Sequence, residues 1–360
     1  MEIFLLIFTI SLSTYLIWRA SESFDIASTY LTRNLNEGIK GPTINAIASS
    51  LPELIISFLF IFYLKDIEGF SAGFATIIGS SIFNITMIPV LSLLFIYFKK
   101  GRIEFPIEKN IILQDGIFLI VAEIILFVCL YLGGVSIYLS MILIIFYLIY
   151  ICVIFNKRNK NFKSRKHKFI VDEKNLINNT SLLSKILNIN IASIVSNNSK
   201  MTTFKSCLIL LISLTIISIA CRELVISSEQ LSEILNLNLF LISFLIAAIA
   251  TSIPDTILSM KDAGNKKYKD AFSNAYGSNI FDICIGIGLP VFIYLIINNR
   301  ESLSTESILE NNIVMLSSAL LVFYSILITL IYWIKPLNMF RSLIVFVLYF
   351  TFIGLIIYFI

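Results

Sequence analysis

The chain has 360 residues, 58% of them hydrophobic and only 14% charged, with a formal net charge of +4. Its mean hydropathy is +0.90. A water-soluble domain carries roughly half apolar and a quarter charged residues, so this balance excludes an ordinary soluble fold. A single histidine, His167, leaves almost no material for histidine-based zinc chemistry or serine-histidine hydrolysis.

In chain order, the apolar residues fall into ten runs near 2–20, 41–64, 70–98, 111–132, 134–155, 205–227, 237–260, 271–297, 311–334 and 340–360. Each is near the roughly 20 residues that cross a bilayer as a helix. These are numbered spans 1 to 10. Met1-Glu2 leads into the first run with no basic segment, which predicts a retained span and no cleaved leader. Cys129, Cys152, Cys207, Cys221 and Cys284 lie in or at the ends of apolar runs without metal-ligand spacing. They read as small buried hydrophobes.

The loops joining spans 1–2, 3–4, 5–6, 7–8 and 9–10 hold 23 of the 27 basic residues. The opposite set holds only Lys65, Arg222 and Arg300. Basic loops stay in the cytoplasm, which predicts a multi-pass cell-membrane protein with both termini outside. The Lys/Asn/Ser-rich stretch 156–205 is the one composition shift. It divides the chain into a first five-span half, 1–155, a cytoplasmic loop, 156–205, and a second half, 206–360. The loop reads as a solvated linker, since basic cytoplasmic loops are the rule. The functional alternatives are a regulatory module or a polybasic patch on anionic lipid.

The two halves share an internal repeat. Residues 44–57 read INAIASSLPELIIS and 246–259 read IAAIATSIPDTILS, with eight of fourteen positions identical. Downstream, 79–85 read GSSIFNI and 277–283 read GSNIFDI, with five of seven identical. The repeats occupy about 41–98 and 243–297. Five spans separate the copies, an odd number, so they cross the membrane in opposite directions. The predicted fold is therefore an all-α polytopic membrane protein, ten transmembrane helices in two inverted five-helix repeats, with an ion site where the repeats meet.

The repeated residues suit such a site. Ser50 and Glu53, like Ser252 and Asp255, are three apart and share a helix face. Ser80 with Asn84, and Ser278 with Asp282, are four apart on the next span. Pro52 and Pro254 lack an amide hydrogen, so the carbonyl of Ala48 or Ala250 loses its helical partner. Gly79 and Gly277 allow close helix approach or a local break. Carboxylates, hydroxyls, an amide and freed carbonyls are hard oxygen donors, the set that Ca2+ and Na+ prefer.

Taken singly, Ser80 or Ser278 reads as helix packing before it reads as a ligand. The acids read differently, because an intramembrane carboxylate costs about 2.5–3.5 kcal/mol on insertion scales and defaults to function. Outside the repeats, Asp115 in span 4 is placed near the cytoplasmic interface. Glu123 lies deeper, with ligand and packing roles evenly weighted. Glu22 and Asp25 are placed where span 1 leaves the membrane, in contact with solvent.

At these motifs the sequence resembles the cation/calcium exchanger superfamily. Its repeats carry Gly-Thr-Ser-x-Pro-Glu or -Asp followed by Gly-Ser-Asn-x-x-Asn or -Asp. Here these are Ala48-Ser49-Ser50-Leu51-Pro52-Glu53 with Gly79-Ser80-Ser81-Ile82-Phe83-Asn84, and Ala250-Thr251-Ser252-Ile253-Pro254-Asp255 with Gly277-Ser278-Asn279-Ile280-Phe281-Asp282. The resemblance extends to nearly the whole chain apart from the 156–205 loop. It implies that Ser50, Glu53, Ser80, Asn84, Ser252, Asp255, Ser278 and Asp282 line four ion positions, helped by Ser49, Thr251 and the Ala46 and Ala248 carbonyls. It also implies that spans 1 and 6 slide over the rest to alternate access. Two departures stand out. Ala48 and Ala250 replace the motif glycines, and Ser49 replaces a threonine. Asp255 with Asp282 looks like the potassium-dependent branch, although prokaryotic sodium/calcium exchangers also carry aspartate at the latter position. The first-motif variant usual in the proton-coupled branch is absent.

The expected function is Na+/Ca2+ antiport and not enzymatic turnover. The partners are Ca2+, Na+ and the lipid bilayer, with no cofactor and no nucleic acid. Glu53, Asp255 and Asp282 carry three negative charges when ionised. Three Na+ neutralise them, whereas one Ca2+ leaves a single charge for a proton or K+ to cover. The alternatives are a potassium-dependent sodium/calcium exchanger and a proton/cation antiporter. A non-transporting scaffold or sensor has no need for three buried acids.

Overall fold

The structure is a computed structural model and describes residues 2–33, 41–101, 104–106, 109–160, 188–196, 201–303 and 312–359. Most of the 156–205 loop, including His167, lies outside the described residues. Backbone amides in hydrocarbon must bond within their own segment, so the apolar runs fold as helices. Among the described residues nine helices are long and apolar enough to cross a membrane. The count is ten when the bent pair Thr43–Ser49 and Leu51–Tyr63 forms one span.

Span 1 is Glu2–Leu31, and span 2 is Gly41–Asn45, Ala46–Ser49 and Leu51–Tyr63. Spans 3, 4 and 5 are Asp66–Lys100, Lys109–Gly133 and Ile137–Lys160. Span 6 is Thr203–Leu235, span 7 runs over Leu239–Gly264, and span 8 over Tyr268–Ile297. Spans 9 and 10 are Asn312–Ile334 and Met339–Phe359. Polar residues punctuate the ends. Thr202 and Asn238 accept bonds from the amides of Lys205 and Phe240, which would otherwise be orphaned at the helix starts. Asn236 and Gly101 close their helices in the left-handed region.

Span 1 runs well beyond its apolar core. Glu22 is partly buried and ion-paired with Arg19 on its own helix and Lys261 at the end of span 7. A paired carboxylate lets the helix continue to Leu31. Of the five cysteines, Cys221 and Cys284 are buried and Cys129 is half-buried, while Cys152 and Cys207 face outward. Many large apolar side chains along the spans face outward, Leu211, Ile145 and Phe350 among them. Lipid replaces water around such a surface.

The interior divides in two. Spans 3, 4, 5, 8, 9 and 10 share one core, with Phe74, Leu119, Tyr150, Tyr276 and Phe352 at its centre. Spans 1 and 6 pack along each other through Ile17, Ala20, Ile217 and Leu224. Their core reaches the rest through Ile56 and Phe60 of span 2, Ala72 of span 3 and Ala250 of span 7.

Short main-chain pairings tie the two halves together. Glu104–Phe105, between spans 3 and 4, pairs antiparallel with Leu337–Asn338, between spans 9 and 10. Ser136, between spans 4 and 5, bridges Ser302, between spans 8 and 9. There the Ile137 amide donates to the Glu301 carbonyl at 2.9 Å and the Leu303 amide to the Val135 carbonyl at 2.9 Å. The first pair joins two loops of the basic set and the second joins two of the opposite set. Loops that touch must share a membrane face, so both pairings agree with the alternation of ten spans.

Candidate ion site at the crossing of the repeats

The site begins with backbone distortions. Both repeats open on a π-helical turn, Gly41–Asn45 and Ser243–Ala247. The offset that maps Ile44 onto Ile246 maps one turn onto the other. Such turns widen a helix locally and recur at functional sites. Span 2 then breaks at Ser50, where the axis bends by 46°. Pro52 stands in the first turn of the new helix, where its missing amide costs nothing. Span 7 instead runs unbroken through Ser252 with Pro254 inside it. Span 8 carries a further π turn, Asp282–Ile287.

Gly79 brings the repeats together. A Cβ there would lie 2.4 Å from the Phe244 carbonyl oxygen and 2.6 Å from the Ala248 Cβ. Only a glycine lets span 3 touch the π turn of span 7 at that point. The predicted close approach is thus present at Gly79.

All eight principal candidates, Ser50, Glu53, Ser80, Asn84, Ser252, Asp255, Ser278 and Asp282, are completely buried. A network joins the repeats. Ser80 Oγ donates to Glu53 Oε1 at 3.3 Å, and Ser252 Oγ donates to Ser80 Oγ at 2.9 Å. Asn84 Nδ2 lies 3.3 Å from Ser80 Oγ and 3.4 Å from Asp255 Oδ2. Ser278 Oγ donates to Asp255 Oδ1 at 2.9 Å. Ser80 and Ser278 are therefore bonded to acids and not merely packed between helices. The Thr251 and Ser49 hydroxyls donate within their own repeats, Thr251 to the Ala247 carbonyl at 3.1 Å and Ser49 to the Asn45 carbonyl at 2.7 Å. Ser50 stands beside Asp282 without closing a hydrogen bond to it. The Ala46 carbonyl accepts the Ser50 amide at 2.9 Å, and the Ala248 carbonyl accepts the Thr251 hydroxyl at 3.1 Å.

Several oxygens in this patch have no hydrogen-bond donor: Glu53 Oε2, both oxygens of Asp282, the Asn84 amide oxygen and the Ser50 hydroxyl. The three acids lie close enough for Asp255 and Asp282 to repel Glu53. None forms an ion pair with a basic side chain among the described residues. No three Asp, Glu, His or Cys side chains among them converge on one point. The acids are instead spread through a patch of hydroxyls and amides, which supplies hard oxygen ligands from neutral groups.

Two contributors were not singled out by sequence. Asn274 donates to Asp255 Oδ1 at 3.0 Å and to Ser259 Oγ at 3.2 Å. It lies four residues before Ser278, so helix periodicity would have put it on the same face. Asn279 donates to the Ser81 carbonyl at 2.7 Å and accepts from Asn84 at 3.1 Å, pinning one repeat to the other. Its place in the Gly-Ser-Asn triplet was the available signal. Asp115 and Glu123 are not part of this patch. Asp115 is fully buried and accepts from Ser273 Oγ at 2.9 Å.

Inverted halves that meet through unpaired buried acids define the architecture of a secondary transporter. A family model described as sodium/calcium exchanger protein matches residues 4–156 and 205–358, and the chain belongs to that family. It is 32% identical over 126 residues to sodium/potassium/calcium exchanger 2 of Gallus gallus, covering 35% of this chain and 19% of that one. It is 34% identical over 120 residues to sodium/potassium/calcium exchanger 3 of Homo sapiens, covering 33% and 17%. The matched stretch thus spans under a fifth of these relatives' length. A crystal structure of the H+/Ca2+ exchanger CAX superposes with a TM-score of 0.69 at 14% identity, covering 99% of this chain and 85% of that one. The sodium-calcium exchanger NCX_Mj, soaked with 100 mM Na+ and 10 mM Sr2+, gives a TM-score of 0.61 at 19% identity, covering 98% of each. These two likenesses establish the fold.

Proposed function

We propose that the protein is a secondary antiporter exchanging Na+ for Ca2+ by alternating access at a midplane site. The observation that carries this is the set of acids Glu53, Asp255 and Asp282, buried at the crossing of the repeats, with unpartnered oxygens on Glu53 and Asp282 and no basic partner among the described residues. Uncompensated charge inside a membrane is expensive, so the cargo must be cationic. Ser50, Ser80, Asn84, Ser252 and Ser278 complete the ligand set, with Ser49, Thr251 and the Ala46 and Ala248 carbonyls at its edge. Na+ and Ca2+ compete for the same oxygens, and that competition gives exchange without leak. Three Na+ against one Ca2+ would move one net charge per cycle, about 2.3 kcal/mol per 100 mV of membrane potential. The separate core of spans 1 and 6 supports their sliding as a pair.

The deciding experiment is radiolabelled Ca2+ uptake into proteoliposomes, with Na+, H+ and K+ gradients imposed one at a time. Uptake should follow an outward Na+ gradient. Uptake driven by a pH gradient without Na+ would assign the protein to the proton-coupled class.

A potassium-dependent exchange is the second reading. It is favoured by Asp282, where the first repeat has Asn84, and by the sodium/potassium/calcium exchanger names of the curated relatives. In it K+ travels with Ca2+ at Asp282. A K+ requirement that disappears in Asp282→Asn would establish this reading. For orientation, the basic loops are placed in the cytoplasm. A tag within 156–205 should be shielded from impermeant reagents in intact cells, and one at 298–310 should be labelled.

A further inference from the structure

Span 8 is a wall with polar groups on both faces. One face carries Asn274 and Ser278 to Asp255. The other carries Ser273 and Tyr276 to spans 4 and 9, away from the repeats. There Ser273 meets Asp115 at 2.9 Å, Tyr276 OH meets Thr329 Oγ1 at 3.1 Å, and Ser325 Oγ donates to Glu123 Oε1 at 2.7 Å. Tyr276 is within electrostatic reach of both Asp115 and Glu123. Gly116 closes this interface, since a Cβ there would lie 2.7 Å from Thr329 Cγ2. The three polar contacts form rungs along the seam of spans 4, 8 and 9.

Glu123 is the unexplained member. It is 1% exposed, accepts one hydrogen bond, and its Oε2 has no partner. The titratable group within electrostatic reach of it is Tyr276 on span 8, which also reaches Asp115, about two turns along span 4. Span 9 presents the Ser325 hydroxyl that donates to Glu123, with Thr329 beside Tyr276 on the same helix as Ser325. No lysine or arginine is buried among the described residues. A bare carboxylate here would be an uncompensated buried charge, worth several kcal/mol. Ca2+ needs six to eight oxygens, and one carboxyl with one bonded hydroxyl cannot supply them. A proton needs a single lone pair.

We propose that Glu123 is a proton-binding site of the scaffold, separate from the ion site and outside the repeats. The proton keeps the seam of spans 4, 8 and 9 neutral and packed. Its loss at high pH puts a charge behind the helix that positions Asp255. Given the exchange reading above, Ca2+ flux should then fall as pH rises through Glu123 ionisation.

The test is infrared spectroscopy of the full-length protein in proteoliposomes, which reads protonation without transport. At neutral pH the wild type should show the carbonyl stretch of a protonated carboxyl. Glu123→Gln should lose one carboxyl from that band. Ser325→Ala, which removes only the donor to Oε1, should shift the band without removing it. In parallel, Glu123→Gln should exchange Ca2+ at neutral pH and lose the decline on the alkaline side. A Glu123→Gln spectrum identical to wild type would overturn the proposal. So would a Glu123 band that appears only when Na+ is withdrawn, because the site would then hold a monovalent cation. Should the wild type show no Na+-driven flux, the exchange reading fails while the infrared comparison still decides the proton site.

Discussion

In the first repeat the Glu53 carboxylate accepts one hydrogen bond, from Ser80 at 3.3 Å, and its second oxygen has none. In the second repeat Asp255 accepts from Asn84, Asn274 and Ser278. The backbones differ in the same sense. Span 2 is broken at Ser50, whereas span 7 is continuous through Ser252 and Pro254. Duplicated motifs have thus been given unequal support. Asp255 is a preorganised acceptor on an intact helix, and Glu53 stands at the start of a half-helix with an oxygen to spare. We infer a division of labour in which the second repeat holds the geometry and the first adapts to the cargo.

The largest expected effects lie at the two acids. Glu53→Gln and Asp255→Asn should both reduce Ca2+ exchange to background, since each removes a ligand charge while keeping the shape. Their stabilities should separate. Asp255→Asn replaces an acceptor faced by three donors and should cost roughly 1.5–3 kcal/mol. Glu53→Gln should melt close to wild type. Equal thermal shifts for the two in detergent would erase the proposed asymmetry.

Next in size is the contact between repeats. Gly79→Ala overlaps the Phe244 carbonyl and should cost about 1–3 kcal/mol by overpacking. A normal melting temperature with normal flux would show that the crossing can open freely.

The smallest effect sharpens the comparison at paired positions. The offset that maps Gly79 onto Gly277 maps Thr76 onto Asn274, and the Thr76 hydroxyl bonds only its own helix, at the Ala72 carbonyl. Asn274→Ala should weaken apparent Ca2+ affinity about tenfold, the equivalent of one hydrogen bond to a charged group. Thr76→Ala should leave it unchanged. Comparable losses in both would mean that Asn274 supports packing and does not orient Asp255.

Much of this was legible from sequence because its cause is local. Apolar runs mark helices wherever the backbone must satisfy itself, and the duplicated acids were visible as costly residues repeated in register. What was not legible depends on partners distant in the chain. Glu22 looked like a helix exit because Lys261, 239 residues away, becomes its partner only in the fold. Asp115 gave no sign that Ser273, far along the chain, would cover it. The π turns leave no residue pattern, since the extra backbone residue answers to packing such as the Gly79 contact. Asn274 lies outside the repeated blocks, so internal comparison could not find it.

The two rim pairings, Glu104–Phe105 with Leu337–Asn338 and Ser136 with Ser302, have a mechanical consequence. Each joins the first half to the second by main-chain bonds, one on each side of the membrane. Shear between the halves of the scaffold would have to break both at once, so the scaffold moves as a single body. Spans 1 and 6 lie outside these clasps, and among the described residues no main-chain hydrogen bond ties either of them to that body beyond the short Asn236–Asn238 link into span 7. We infer that the softest coordinate is displacement of this pair along the scaffold surface. A cross-link from span 1 to span 3 should arrest it, and one across either clasp should not.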